Sequence, residues 1–217
     1  MLSTLKQTAE LVELFKSAGK KQIYNKNEFI ISPNSIPNGV FCIEEGLVKA
    51  YDITKYNEEN LLIIRKPDEI FPLIWGLTGQ ERQVIYQPLI KTVTWRLDRQ
   101  VFINSITNKP SLMTPLLDMT VEMYRLHSER ILNLEYRTVR ERIISYLFTM
   151  SRRFGQETKD GIKIDLPLRH QDIASSINSS RETTSREIAA LTKKELIEHK
   201  RSYILLKKVV ELHKYIS

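Results

Sequence analysis

The chain has 217 residues, of which 41% are hydrophobic and 27% charged, the composition of a globular protein with one or two domains. A single cysteine excludes a disulfide framework, a cysteine-rich zinc site and a cysteine-ligated iron–sulfur cluster. The sequence has neither a secretory signal pattern nor an apolar run of membrane-spanning length, so we expect a soluble cytoplasmic protein without a membrane partner.

The net charge of +7 is concentrated in the C-terminal part of the chain. Residues 1–136 contain 16 Lys and Arg against 16 Asp and Glu, whereas residues 137–217 contain 17 against 10. A neutral part followed by a basic part indicates two domains with different tasks, and the basic domain suits an acidic partner. A solvated basic face is the alternative explanation.

The N-terminal half has the pattern of a short helix followed by an antiparallel β-domain. Apolar residues at helical spacing predict the helix over residues 2–18. Turn residues then separate short β-rich runs, which is typical of a barrel or a jelly roll. The predicted strands are 28–31, 40–43, 47–53, 61–65, 84–86 and 93–97.

A long helix with two apolar faces is predicted to begin at Ser111, which can cap it. The first face repeats every three or four residues and contains Leu112, Leu116, Met119, Met123, Leu126, Arg130, Asn133 and Arg137. The second face contains Leu117, Val121, Tyr124, Ile131 and Leu134. Since such a helix must bury both faces, we expect one to pack on the β-domain and the other on a second copy of the chain, in a homodimer. The heptad spacing of the first face predicts that Met123 and Leu126 contribute to that homodimer.

The basic part begins with a second helix and continues into a helix-turn-helix pattern. Thr138 and Glu141 have capping-box spacing, so residues 136–138 are a predicted hinge. A tight-turn signal at Asp160-Gly161 precedes the alternating residues of a strand over 162–166. Residues 169–191 then predict two helices that cross closely, with Asn178 in a turn that needs left-handed geometry and Ser180 as the second cap.

The outward face of that second helix has the chemistry of base recognition. Arg181 and Glu182 fall in its first turn, and Arg186 follows. Arginine can bind guanine in bidentate fashion, and glutamate can accept from cytosine N4. An exposed face neutralised by ion pairs is the alternative. Further along the chain, two apolar runs flank Lys200 and Arg201, which predicts a hairpin whose basic tip contacts phosphates.

The order of β-roll, long helix and winged helix-turn-helix resembles the Crp/Fnr family of bacterial transcription regulators. The closest local matches are residues 41–51, 66–72 and 180–186, and the resemblance extends over nearly the whole chain. It implies an α+β architecture with a cyclic-nucleotide-binding-like β-roll sensor domain over 1–109. A dimerisation helix with its hinge would occupy 110–137, and a winged helix-turn-helix domain 138–217.

The resemblance also implies the partners and the contact residues. The partners are double-stranded DNA, a second copy of the chain, RNA polymerase and an unidentified small-molecule effector. By analogy with the family, Arg181, Glu182 and Arg186 read bases. The remaining predicted DNA contacts are Ser180, Thr183, His170, Lys200 and Arg201.

The family's cyclic-nucleotide pocket uses a Gly-Glu pair and, about ten residues later, an Arg-Ser pair. This chain has Phe71-Pro72 at the first place and Arg82-Gln83 at the second. Neither Phe nor Pro allows the close backbone approach that a phosphate needs, so we expect an effector other than cyclic AMP, or none. The candidate effector-pocket residues are Arg82, His127, Ser128 and Phe71.

Two other classes of function compete with a DNA-binding regulator. A cupin-like enzyme shares the roll, but it needs clustered histidine and carboxylate ligands, and residues 1–126 contain no histidine. That absence also disfavours haem, and the single Cys42 is poorly suited to sensing. An effector-binding adaptor without DNA contact is opposed by the motif at 180–186. We therefore predict a sequence-specific regulator, without catalytic activity, metal or cofactor.

Overall fold

The computed structural model describes residues 5–216, so the predicted helix start at Leu2 lies outside the described residues. The chain forms two units. The first contains residues up to Thr54 together with Leu61–Tyr124, and the second contains Lys55–Asn60 together with the residues from Arg125 onward. Within residues 5–216, no helix combines the length and the apolar character needed to cross a bilayer.

The first unit contains a roll of two antiparallel sheets, built from short β-rich runs between turns. Its strands are β1 (Lys20–Tyr24), β2 (Val40–Glu45), β3 (Val48–Ile53), β4 (Glu59–Arg65), β5 (Ile70–Phe71), β6 (Ile85–Pro88) and β7 (Thr92–Leu97). One sheet has the order β1-β7-β2-β5 and the other the order β4-β3-β6. The predicted roll is therefore present.

Helices close one side of this roll around a shared apolar cluster. They are α1 (Leu5–Ala18), α2 (Leu73–Thr78), α3 (Arg99–Asn108), the 3-10 turn Pro110–Leu112 and the first half of α4 (Met113–Tyr136). The cluster joins residues of these helices to strand residues: Leu11, Phe15, Val40, Cys42, Ile70, Leu73, Leu97, Phe102, Ile106, Leu112 and Leu116. Leu112 and Leu116 belong to the first predicted face of the long helix, so this face packs on its own unit.

Two local predictions in this unit are wrong. Residues 28–31 do not form a strand. The segment makes only an isolated bridge between Ile31 and Tyr86, with the Ile30 amide also donating to the Tyr86 carbonyl at 2.9 Å. Ser111 does not cap the long helix, because it lies inside the 3-10 turn that precedes α4. Strands β1 and β5 and helices α2 and α3 were not predicted.

The second unit combines helices with a small antiparallel sheet. Its further elements are α5 (Val139–Phe154), β8 (Gly155–Thr158), β9 (Gly161–Ile164), α6 (His170–Ser176), α7 (Arg181–Lys193), β10 (Ile197–His199), β11 (Ile204–Leu206) and α8 (Val209–His213). The sheet order is β10-β11-β9-β8. Gly161 has φ 129° and lies so close to the Leu206 carbonyl that an added Cβ would be 2.0 Å from its oxygen, so only glycine fits this turn.

The predicted interruption of the long helix is present. Helix α4 ends at Tyr136 and α5 begins at Val139. The Thr138 amide donates to the Glu141 carboxylate at 2.8 Å, and Thr138 Oγ1 accepts from the Glu141 amide at 3.4 Å, which completes a capping box. Because the Glu141 carboxylate accepts that backbone hydrogen bond, its pKa is lowered.

Candidate nucleic-acid interface and effector region

The predicted helix-turn-helix is formed by α6 and α7. Ile173 and Ala174 are buried on α6, and the small Ala174 side chain allows the two helices to approach closely. On α7 the inward residues Thr184, Ile188 and Leu191 are buried, as their spacing predicted. Asn178 in the turn has φ 51°, which confirms the left-handed conformation that was expected of it.

The first turn of α7 presents charged side chains to solvent. Ser180 Oγ accepts from the Thr183 amide at 3.1 Å and caps the helix, as predicted. Arg181, Glu182 and Arg186 are all exposed. In the part of the chain that the structure describes, none of these three side chains forms an ion pair, so ion pairing does not explain this face.

A basic hairpin follows α7. Strands β10 and β11 pair in register, with Ile197 opposite Leu206, and the Lys200 amide donates to the Tyr203 carbonyl at 2.9 Å. Lys200 and Arg201 are both exposed at the tip. The Lys200 ammonium is 3.5 Å from the Glu198 carboxylate, whose pKa is lowered first by the hydrogen bond from Tyr203 and then by nearby lysines.

His170 lies at the start of α6, against the hairpin. Its ring centroid is 4.7 Å from that of His199, and His199 Nε2 is 3.1 Å from the Leu168 carbonyl oxygen, to which it must donate. Burial lowers the pKa of His170, and the charges of His199 and Arg181 lower it further. The structure thus brings His170 close enough to Arg181 for their charges to interact.

Among the effector-pocket candidates, Phe71 is part of the packed interior. Its ring is fully buried and stacks between Phe41 at 5.4 Å and Tyr86 at 4.7 Å, measured between ring centroids. Desolvation raises the pKa of the buried Tyr86 hydroxyl. Three aromatic rings therefore fill the space beside β5.

The other three candidates lie elsewhere. Arg82 is exposed in the loop before β6, where it lines an open groove together with Asn34 and Asp52. His127 and Ser128 are half-buried neighbours on α4 and belong to the second unit. The four candidates are thus divided between the two units.

Several polar contacts that hold the helix-turn-helix in place were not predicted from the sequence. The Asp172 carboxylate, only 2% exposed, accepts from the Arg169 amide at 2.9 Å and from its guanidinium at 3.1 Å. Arg140 Nε donates to the Glu187 carboxylate at 2.7 Å and links α5 to α7. The pair Arg169 and Asp172 has the three-residue spacing of a capping box at the start of a helix, which could have indicated it from the sequence. The pair Arg140 and Glu187 joins distant positions and leaves no signal in the sequence.

The described residues offer little to a metal or a redox reaction. Among residues 5–216, no group of three or more His, Cys, Asp or Glu side chains is arranged to hold a metal ion. Cys42 is fully buried, and desolvation raises the pKa of its thiol to about 12, so the reactive thiolate is scarce near neutral pH.

Family comparisons match two separate stretches of the chain. A model described as the cyclic nucleotide-binding domain matches residues 21–109, and one described as the Crp-like helix-turn-helix domain matches residues 141–215. The chain is 26% identical over 203 residues to the global nitrogen regulator of Nostoc sp., covering 90% of this chain and 89% of that protein. It is 21% identical over 204 residues to the fumarate and nitrate reduction regulatory protein of Vibrio cholerae, covering 94% and 81%.

Solved structures share the fold along most of the chain. A CooA mutant from Carboxydothermus hydrogenoformans superposes with a TM-score of 0.80 at 23% identity, covering 94% of this chain and 90% of that one. FixK2 from Bradyrhizobium japonicum gives 0.79 at 20% identity, covering 92% and 98%. At these identities the likeness establishes the architecture, and the predicted α+β fold with a β-roll and a winged helix-turn-helix is confirmed.

Proposed function

Since this chain belongs to the Crp/Fnr family of DNA-binding transcription regulators, we propose that it binds a two-fold symmetric DNA site as a homodimer. The observation that carries the proposal is the first turn of α7. Arg181 and Glu182 are exposed there and Arg186 is exposed on the next turn, and within residues 5–216 none of the three has an ion-pair partner. In this arrangement the first turn of α7 enters the major groove and the hairpin tip lies on the flanking backbone.

The side chains divide between base recognition and phosphate contact. Arg181 and Arg186 can each bind guanine through two hydrogen bonds, and Glu182 can accept from cytosine N4. Ser180 and Thr183 lie at the amino end of α7, where backbone amides favour a phosphate. The exposed cations Lys200 and Arg201 suit phosphates, which hold the register without reading sequence.

The surface proposed for dimerisation is the second apolar face of α4. The first face is already in use inside each unit: Leu116 is buried, Met123 Sδ accepts from Arg65, and Asn133 donates to Ser145 at 2.9 Å. Large apolar side chains on the second face are exposed, namely Leu117, Val121, Tyr124 and Ile131. A second copy of α4 would bury this row, and a symmetric pair would place two recognition helices about 34 Å apart, one turn of DNA.

We propose that the effector, where one acts, differs from cyclic AMP. The Phe71 ring packs between Phe41 and Tyr86, and the next residue, Pro72, has neither the free backbone of a glycine nor an amide to donate to a phosphate. Arg82, His127 and Ser128 stay candidates for polar contacts with an effector. Membership of the family is the basis for proposing RNA polymerase as a further partner at the promoter.

Selection of binding sites from a pool of randomised duplex DNA tests this function. The wild-type protein should enrich a two-fold symmetric sequence. Arg181→Ala should lose about 1–3 kcal/mol of binding free energy on that sequence and tolerate other bases at one position of each half-site. Lys200→Ala should weaken all sequences alike and reduce the salt slope by about one unit.

The control for Lys200→Ala is Lys159→Ala, which removes an exposed lysine from the turn between β8 and β9. This variant should bind and respond to salt as the wild type does. If Arg181→Ala keeps the affinity and base preference of the wild type, α7 is not the element that reads the DNA.

A further inference from the structure

Two arginines outside the proposed DNA-contact set donate to backbone carbonyls at the end of α6. Arg142 Nη1 is 3.1 Å from the Ile177 oxygen and 3.4 Å from the Asn178 oxygen. Arg130 Nη2 is 3.4 Å from the Ser175 oxygen. The last carbonyls of a helix have no donor within the helix, so these guanidinium groups satisfy acceptors at the helix-turn-helix turn.

Both arginines come from elements that lead into the hinge. Arg130 lies on α4 and Arg142 lies on the first turn of α5. Arg142 Nε also donates to the Arg137 carbonyl at 2.9 Å, just beyond the last residue of α4. One planar guanidinium therefore holds a hinge carbonyl and two turn carbonyls at the same time, which the single ammonium of a lysine could not reproduce.

The turn held in this way has a conformation that needs support. Asn178 has φ 51°, a left-handed geometry that is unfavourable for most residues other than glycine and that asparagine adopts only as a single residue. Its carbonyl direction is fixed by that geometry, and Arg142 binds it there. Any rotation of the Arg137 carbonyl would therefore break the hydrogen bonds of the Arg142 guanidinium or move the turn between α6 and α7 as well.

We propose that Arg142 is a positioning residue that transmits the direction of the dimerisation helix to the recognition helix, with Arg130 as a second tie. This inference rests on the proposed function, because it assumes a dimer on a two-fold symmetric site. In such a dimer the orientation of α7 relative to the end of α4 sets the distance and angle between half-sites. Loss of Arg142 would therefore broaden the range of half-site spacings that the protein accepts.

A matched control lies two residues earlier on the same helix. Arg140 also contacts the helix-turn-helix, because its Nε donates to the Glu187 carboxylate on α7 at 2.7 Å, but this partner is a side chain and not a hinge carbonyl. Arg140→Gln thus removes a cation and a contact between α5 and α7, while the hydrogen bonds of Arg142 to the three backbone carbonyls stay in place. General damage to the domain should change the spacing discrimination of both variants, whereas loss of the link between the hinge and the turn should change it only in Arg142→Gln.

The experiment measures DNA affinity of full-length wild type, Arg142→Gln and Arg140→Gln on three duplexes. The first is the symmetric sequence that the wild type selects from randomised DNA, and the others add or remove one base pair between its half-sites. The wild type should lose about tenfold or more on the altered spacings, comparable with the cost of one mismatched base pair. Arg142→Gln should bind the first duplex more weakly and show a several-fold smaller loss on the others, and Arg140→Gln should keep the wild-type ratio.

The outcomes separate the two proposals. If the wild type selects no symmetric sequence, the proposed function is wrong and the inference falls with it. If the wild type does select one but Arg142→Gln keeps the full spacing penalty, or weakens on all three duplexes by the same factor, the positioning role is refuted. Should Arg142→Gln fail to fold, Arg142→Lys keeps the charge and one donor group, and it should show the same loss of spacing discrimination.

Discussion

Tyr124→Asp should separate the proposed homodimer into folded monomers. Tyr124 lies on the second apolar face of α4 and is 75% exposed within its own chain. A substitution at so exposed a side chain costs the monomer little, since surface changes usually alter stability by about 0.5 kcal/mol or less. The same change places a carboxylate in the surface that the second copy would cover, where an unpaired charge is unfavourable.

The size of the effect follows from the exposed area. Complete burial of a large apolar side chain stabilises by about 1.5–3 kcal/mol, and three quarters of this one remains to be buried, which leaves about 1–2 kcal/mol per protomer. In a two-fold symmetric interface the residue occurs twice, so the dimer loses about 2–4 kcal/mol. The dissociation constant should therefore rise roughly 30-fold to 700-fold before any charge penalty is added.

Sedimentation velocity across a concentration series measures this constant directly. The control is Tyr56→Asp, the same substitution at a side chain that is 73% exposed but lies outside α4. It should leave the dissociation constant unchanged. If Tyr124→Asp dimerises as tightly as the wild type, or if the wild type is monomeric at micromolar concentration with its DNA affinity intact, the assignment of this face is refuted.

Two further predictions concern the interior of the roll and the amino end of α6. Phe71→Ala should lower the free energy of unfolding, measured by urea denaturation, by about 3–5 kcal/mol, because a fully buried ring is removed. The control Phe29→Ala removes a ring that is 44% exposed and should lower it by about 1 kcal/mol. Equal losses in the two variants would contradict the stacking of Phe71. Burial, followed by the charges of His199 and Arg181, lowers the pKa of His170 from its ordinary value in the free protein, and a nearby phosphate would raise it in the complex. Binding would then take up a proton, so DNA affinity should decrease as the pH rises through the pKa of His170 in the complex and increase as the pH falls below it. His170→Gln should flatten this profile, and an unchanged profile would place His170 away from the phosphates.

Local rules were sufficient for the helix-turn-helix. Asn178 occupies the left-handed turn and Ser180 caps α7 because each position depends on the backbone within a few residues. Five strands of the roll were predicted for the same reason; β1 was missed because none of its residues is buried, and β5 because it has only two residues. Helix α3 was not predicted, although Asp98 caps it, because only two of its residues, Phe102 and Ile106, are buried and they give a weak periodic pattern.

The sequence could not decide questions that depend on tertiary packing. It offered two apolar faces on α4, and only the structure shows that Met123 is engaged by the buried Arg65 while Tyr124 faces solvent. It placed Arg181 on an outward face but could not exclude an ion pair there. Arg142 and Arg130 gave no signal, because their partners are backbone carbonyls 35 and 45 residues away along the chain.

The placement of Lys55–Asn60 has a consequence for how such a protein can change in evolution. These six residues connect β3 to the body of β4 but are grouped with the second unit, so the chain passes between the units three times. Asn60 accepts a hydrogen bond from Arg130 on α4. A recombination event at the hinge would therefore not exchange a complete DNA-binding module, because part of that unit is encoded upstream within the roll. An insertion or deletion between β3 and β4 would alter both units at once, which should make the length of this short connection less free to vary than an ordinary surface loop.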